Sequence, residues 1–542
     1  MGRRIRWLGV VMVACLGLVV AQLVNIQLVK AKQLQTSPFN PRVAALRFEN
    51  PRGSIYAADG TVLAQSVPTP AGTNKSEYPY THIRQYPQGP LLAGITGYDS
   101  ALYYGTSDIE QQYDSYLGAH RQVPQTLSQL IFRQEMPVTT DDVTLTVEPN
   151  LQQTAWNALV STPGNNDGAV VVLDPKTGAV LAMVSNPTYD PNALVSTSLH
   201  AEQLAYYSYV QKDHEGFSPL RPIATGETFF PGSTMKVVTS TAAYNLKPSL
   251  AGFNYPVQPC QSFPDSNRVL CNDGSNPSNS KACGGTMTSM LPESCDPGYG
   301  ELGVQEGVST LRQQAEMFGI NSVPPIDLPG NTQQPVGGVV ASTLKTLPPN
   351  SQAFQAYSAI GQDYVQDTAL QNAMVAAGIA NGGVIMTPHL MSSIHDSQGA
   401  LVQSYTPTGM PRTATAQAAQ SVTALMESVP ISGTASGVGF PSYLCAAVKT
   451  GTAQTGLGVN HDWMIGFAPA NDPKIAVAVV VPYQNISSDG AGIAGPIVNK
   501  VMQAALPPGS VQQPCTVPAP PLSTYGPQTQ APIFQGTGSN NG

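Results

Sequence analysis

Apolar positions along the chain fall into three kinds of run, each predicting a different element. Residues 7–29 are almost uninterruptedly apolar, about the ~20 residues a helix needs to cross a bilayer. Short apolar runs at 169–173, 463–467 and 475–481, the first and last rich in valine and the middle one in aromatics, predict buried strands. Apolar residues at helical spacing follow Ser233 and recur around 371–380, and 493–506 reads as a closing helix. This interleaving predicts an α+β fold over residues 146–506, with helices packed on an antiparallel sheet. Ahead of it, residues 31–145 read as a β-rich domain of short strands and turns. Its tyrosines, among them Tyr78, Tyr86 and Tyr98, are expected as half-buried strand residues. From Pro507 onward Pro, Gln, Ser, Thr and Gly dominate, which predicts a disordered tail over 507–542.

Charge sets the compartment. Arg3, Arg4 and Arg6 precede the first apolar run, so residues 1–30 predict a single-pass plasma-membrane anchor with the rest of the chain extracytoplasmic. A cleaved signal peptide is the rival, but its apolar core runs only about 7–15 residues. Charged residues make up 11% of the 542, well below the ~25% of ordinary soluble domains. The net charge of −8 gives no basic footprint for nucleic acid. Seven histidines are scattered without metal spacing, and neither H-E-x-x-H nor C-x-x-C occurs, so no metal or other cofactor is expected. Outside the cell, Cys260, Cys271, Cys283, Cys295, Cys445 and Cys515 meet an oxidising environment. Cys283 with Cys295 is a candidate pair, while the connectivity as a whole stays open.

Three short motifs carry chemistry: Ser233-Thr234-Met235-Lys236, Ser294-Cys295-Asp296 and Lys449-Thr450-Gly451-Thr452. Ser278 and Ser342 also begin an S-x-x-K, but one lies in a Gly/Ser/Asn/Pro loop and the other runs into Pro348-Pro349. Ser233 instead follows a Pro231-Gly232 turn and opens an apolar helix. Residues three apart share a helix face, so Ser233 Oγ and Lys236 Nζ are expected within hydrogen-bond reach. A serine hydroxyl needs a base to become a nucleophile, and a lysine serves only when burial or nearby cations lower its pKa. Lys449 would be such a cation and would also bind a substrate carboxylate. The backbone N–H groups of Ser233 and Thr452 are candidate oxyanion donors. Gly451 would let a substrate lie against the strand, and Ser294 would relay a proton.

These residues resemble the active site of the penicillin-binding proteins and serine β-lactamases. The likeness continues through 168–183, Asn186-Pro187, Ile360-Gly361-Gln362, Asn381-Gly382-Gly383 and 462–469. Upstream, Pro51-Arg52-Gly53-Ser54-Ile55 and Ile109 to Asp114 resemble the membrane-proximal pedestal of the class B, monofunctional subgroup, its actinobacterial members above all. The resemblance implies that residues 31–145 are a dimerisation-type pedestal and 146–506 a transpeptidase domain. It further implies a peptidoglycan D,D-transpeptidase of cell-wall synthesis and division or shape, acting through a serine acyl-enzyme. Stem peptides would be its substrates, β-lactams its covalent inhibitors, and a membrane-embedded glycosyltransferase its partner. Ser233, Lys236, Ser294 and Lys449 would be catalytic, and Asp296, Thr450, Gly451 and Thr452 would bind substrate. The family usually has Asn where Asp296 stands; an ionised Asp only accepts, and it favours a charged Lys236. The alternatives are a D,D-carboxypeptidase or β-lactamase on the same fold, and a non-catalytic scaffold for division or elongation proteins.

Overall fold

A computed structural model describes residues 2–24, 48–102, 105–121, 138–211, 216–273, 276–330, 337–346 and 351–512. Its centre is a five-stranded antiparallel sheet in the order Ala447–Gln454, Val459–Ala468, Ile475–Asn485, Gly168–Leu173, Val180–Asn186. The Val- and Ala-rich strands run through its middle. Every residue of Gly168–Leu173 is buried, as are the first eight of Ile475–Asn485, so both sheet faces are covered. Helices Pro149–Val160 and Ala494–Ala505 pack on each other and on the sheet, and Ala369–Ala380 packs across its middle strands. Thr368 starts that last helix by accepting a hydrogen bond from the Gln371 N–H. The strand and helix positions read from the apolar pattern are therefore met, and the fold is α+β.

A second, six-stranded sheet joins segments far apart in sequence. Its order is Leu401–Ser404, Met391–Asp396, Asp141–Leu145, Ile55–Tyr56, Val62–Pro68, His82–Gln85. Two of its strands thus come from residues 391–404, deep inside the segment expected to be separate from 31–145. Beside it, Glu110 is wholly buried between two arginines: Arg52 Nε and Arg84 Nε each donate to its carboxylate at 2.6 Å. Arg52 also reaches Asp114 at 2.6 Å, and Tyr86 OH donates to Glu110. This network explains why the Arg52 and Ile109–Asp114 segments belong together. Tyr78, Tyr86 and Tyr98 are fully rather than half buried.

Gly2–Val24 is helical, with Trp7, Leu8, Val13, Leu16 and Leu18 exposed. The rest of the first apolar run lies outside the described residues. Among the described residues no helix is long and apolar enough to cross a membrane. Of the expected tail, residues 507–512 form a turn in which the Ser510 N–H donates to the Pro507 carbonyl, and the rest lies outside the described residues.

Candidate active site

Gly232–Thr234 forms a single 3-10 turn that passes directly into the helix Met235–Leu246. Gly232 has φ +54°, a conformation glycine adopts without steric cost. A Cβ there would come 2.9 Å from the Thr452 carbonyl, so the turn bearing Ser233 lies against the edge strand of the central sheet. Gly451 makes the same contact from the other side. A Cβ on it would meet the Pro231 carbonyl at 2.7 Å and Thr234 Cγ2 at 2.9 Å. The space at Gly451, expected for substrate, is filled by the turn that carries Ser233. Trp463 Nε1 donates to the Phe230 carbonyl at 3.0 Å and fixes the turn from below.

Ser294 lies at the centre of the constellation. It occupies a left-handed backbone conformation, φ +56°, and the Cys283–Cys295 disulfide braces the residue after it. Its hydroxyl accepts from Lys236 Nζ at 3.2 Å and from Lys449 Nζ at 2.8 Å. Lys236 also donates to the Ser294 carbonyl at 2.6 Å and to Asp296 Oδ1 at 2.5 Å, and it lies over the Tyr299 ring. No hydrogen bond joins Lys236 Nζ to Ser233 Oγ, contrary to the helical-spacing expectation. The reason is electrostatic: the Asp296 carboxylate draws the ammonium across the site.

Both lysines are fully buried. Burial pushes Lys236 below its ordinary pKa, and the Asp296 charge pulls part of the way back. Lys449 is pushed down further, first by burial and then by the Lys236 charge. Lys449 donates to the Thr450 carbonyl at 2.9 Å as well as to Ser294. Its donors face inward, so it is not placed to grip a carboxylate itself. That surface consists of hydroxyls instead.

A cleft of about 300 Å³ opens over the site, lined by Ser233, Ser294, Asp296, Thr434, Thr450 and Thr452 among others. Thr434 and Thr450 hydroxyls are hydrogen-bonded at 2.6 Å, and the Thr452 hydroxyl accepts from the Gly490 N–H. The structure therefore brings together Ser233, Lys236, Ser294, Asp296, Lys449, Thr450 and Thr452 from three separate chain segments. Two residues of the disulfide-stapled hairpin went unseen in the sequence. Asn272 accepts from the Asp296 N–H at 3.0 Å, and Asp273 lines the cleft, its pKa raised by burial and by Asp296. Thr434 was missed as well, since nothing marks it locally. The other S-x-x-K serines are elsewhere. Ser342 is buried, accepting from the Thr368 N–H, and Ser278 is in an exposed turn. Cys260 pairs with Cys271, and Cys283 with Cys295. Among the described residues no cluster of His, Cys, Asp and Glu is arranged to hold a metal ion.

Comparison with known proteins fits this geometry. Residues 168–503 match the penicillin binding protein transpeptidase domain, and residues 52–136 the penicillin binding protein A dimerisation domain. The chain is 34% identical over 525 residues to the peptidoglycan D,D-transpeptidase PbpA of Mycolicibacterium smegmatis, covering 94% of this chain and 100% of that one. It is 33% identical over 522 residues to the protein of the same name from Mycobacterium tuberculosis, covering 93% and 99%. The solved ceftriaxone acyl-enzyme complex of penicillin-binding protein A from M. tuberculosis aligns with a TM-score of 0.72 at 31% identity, over 85% of this chain and 99% of that one. The penicillin G acyl-enzyme complex aligns with a TM-score of 0.70.

Proposed function

The chain belongs to the penicillin-binding protein transpeptidases, and on that premise we propose that it is a peptidoglycan D,D-transpeptidase whose acyl-enzyme forms on Ser233. One observation carries the assignment of roles: a single hydroxyl, that of Ser294, is shared by two buried lysines whose pKa values are both lowered, beside the Ser233 turn. A lysine with a lowered pKa can lose its proton and act as a base. Lys236 swings from Asp296 to take the Ser233 proton as Oγ attacks the penultimate D-alanyl carbonyl of a stem peptide. The oxyanion is met by the backbone N–H groups of Ser233 and Thr452. Ser294 passes the proton to the departing D-alanine nitrogen, with Lys449 holding that hydroxyl in place. The donor's terminal carboxylate lies on the Thr434, Thr450 and Thr452 hydroxyls, with the Lys449 charge behind them. An amine from a second stem peptide then takes the acyl group and frees Ser233. β-Lactams enter by the same first step.

The finer assignments follow from the same reading. Residues 31–145 act as the pedestal, 146–506 as the transpeptidase domain and 507–542 as a tail. The N-terminal helix, with its exposed apolar side chains and the arginines that precede them in sequence, is the plasma-membrane anchor. A membrane-embedded glycosyltransferase is the partner that supplies glycan strands.

The test is fluorescent-penicillin labelling of the purified protein beside Ser233→Ala, with the adduct mapped by mass spectrometry. A stable adduct on Ser233, absent in the variant, is expected. No adduct on folded protein removes the mechanism and leaves the scaffold reading; rapid loss of the adduct with β-lactam hydrolysis makes the protein a hydrolase.

A further inference from the structure

The edge strand Ala447–Gln454 has an unpaired side facing the cleft, and one residue covers part of it. The Gln362 side-chain amide, in the orientation that satisfies both partners, donates to the Gln454 carbonyl at 3.1 Å and accepts from the Gln454 N–H at 3.0 Å. One side chain thus makes the two bonds that a neighbouring strand would make at that residue. Gln362 is itself held in place. The Gly232 N–H donates to the Gly361 carbonyl at 2.9 Å, the Gln362 N–H to the Tyr357 carbonyl at 2.9 Å, and the Tyr364 N–H to the Gln362 carbonyl at 2.7 Å. Gly361, at φ +77°, lies so close to Gly232 that a Cβ would strike its carbonyl. The cap is therefore tied to the nucleophile turn on one side and to the edge strand on the other.

Strand backbones alternate, so the groups of Thr450 and Thr452 point to the same open side as those of Gln454. Resting on the function proposed above, a donor with its carboxylate at Thr450 and its reacting carbonyl at Thr452 runs on toward Gln454. There the next pairing position is already taken. Beyond it opens a wider groove of about 840 Å³, whose walls include Gln362, Arg268, Tyr357 and Lys345.

We propose that Gln362 is a specificity-determining positioning residue: it ends the pairing of a peptide donor with the edge strand at Thr452. The remainder of the donor is turned off the sheet edge into the adjoining groove. An ordinary extended peptide, which gains affinity by adding a full strand to an open edge, is denied that gain. Donors able to bend after the reacting residue lose nothing.

The experiment compares wild type with Gln362→Ala and with Gln362→Met, which keeps the length and loses the amide. Two N-acetylated donors ending in D-Ala-D-Ala are used, one with nothing further and one with two α-linked L-residues ahead. D-alanine release gives kcat and KM, and penicillin labelling of Ser233 is run beside it. Freeing Gln454 should lower KM for the longer donor about tenfold, the worth of one or two strand hydrogen bonds, in both variants. The shorter donor and the penicillin rate should stay within about twofold. An unchanged or raised KM for the longer donor overturns the proposal. Equal loss of both donors and of penicillin labelling in a folded variant also overturns it, since Gln362 is then only a brace. Failure of wild type to label at all counts against the proposed function instead.

Discussion

Lys236 Nζ stands 2.5 Å from Asp296 Oδ1 and directs its charge at that carboxylate rather than at Ser233. Burial drives the lysine toward the free amine, and Asp296 holds part of that drive back. In Asp296→Asn the charge is gone and burial acts alone. Lys236 then loses its proton at lower pH, so the acid limb of Ser233 acylation by penicillin should move to lower pH. A stopped-flow pH profile of both proteins measures this. A limb that stays in place, or moves up, means that Asp296 does not control the base.

This contact also marks how far sequence alone could reach. The three motifs, and the sheet strands with their apolar runs, were legible because their signals are local. The Cys283–Cys295 pairing was legible as a candidate through its setting. What joins the motifs was not. Asn272 reaches Asp296 because the Cys260–Cys271 hairpin folds over the site, and Thr434 meets Thr450 across a gap of sixteen residues. The two strands that 391–404 lends to the outer sheet carry no local mark of their destination. Helical spacing predicted that Lys236 would reach Ser233, and could not show that a carboxylate from another segment would claim its charge.

Gly451 is predicted to be intolerant for a packing reason. Any side chain there meets the Pro231 carbonyl, Thr234 Cγ2 and, at 3.1 Å, Trp463 Cβ. Backbone cannot yield as a flexible side chain can, so Gly451→Ala should push the nucleophile turn off the edge strand. A displacement near 1 Å separates Ser233 from the Thr452 N–H and costs about 10²-fold in acylation rate. Rates measured on protein with unchanged circular dichroism decide it; a rate equal to wild type shows that the turn and strand need not touch.

Glu110 should matter to stability and not to chemistry. Its carboxylate lies buried between Arg52 and Arg84, and removing it takes the carboxylate partner from the Arg84 Nε and leaves Arg52 to Asp114 and Asp99 alone. Breaking such a buried network from one side costs about 3–5 kcal/mol. Glu110→Ala should therefore lower the denaturant midpoint sharply, while the protein that remains folded is acylated at the wild-type rate. Denaturation in urea beside penicillin labelling separates the two effects. Lost labelling in the folded fraction would tie the outer sheet to the active site.

Glu306 gives the pH prediction with the least ambiguous sign. It ends the helix that begins at Asp296, it is fully buried, and neither carboxyl oxygen has a hydrogen-bond partner among the described residues. Burial raises its pKa well above the ordinary value, with Lys247 opposing only in part. The negative end of the helix dipole lies at the same place and disfavours the anion further. The folded protein therefore keeps this proton at pH values where the unfolded chain has released it. The unfolded state binds fewer protons across that window, so stability falls as pH rises from about 4.3 toward the raised folded value. Glu306→Gln keeps the shape and removes the titration. Its melting temperature should exceed that of wild type at pH 7.5 by roughly 1 °C for each kcal/mol relieved, and the gap should close as the pH is lowered toward 4.5. Scanning calorimetry across that range reads the difference directly. A gap that is constant with pH, or that widens toward acid, would mean that the buried carboxyl is already ionised in the fold.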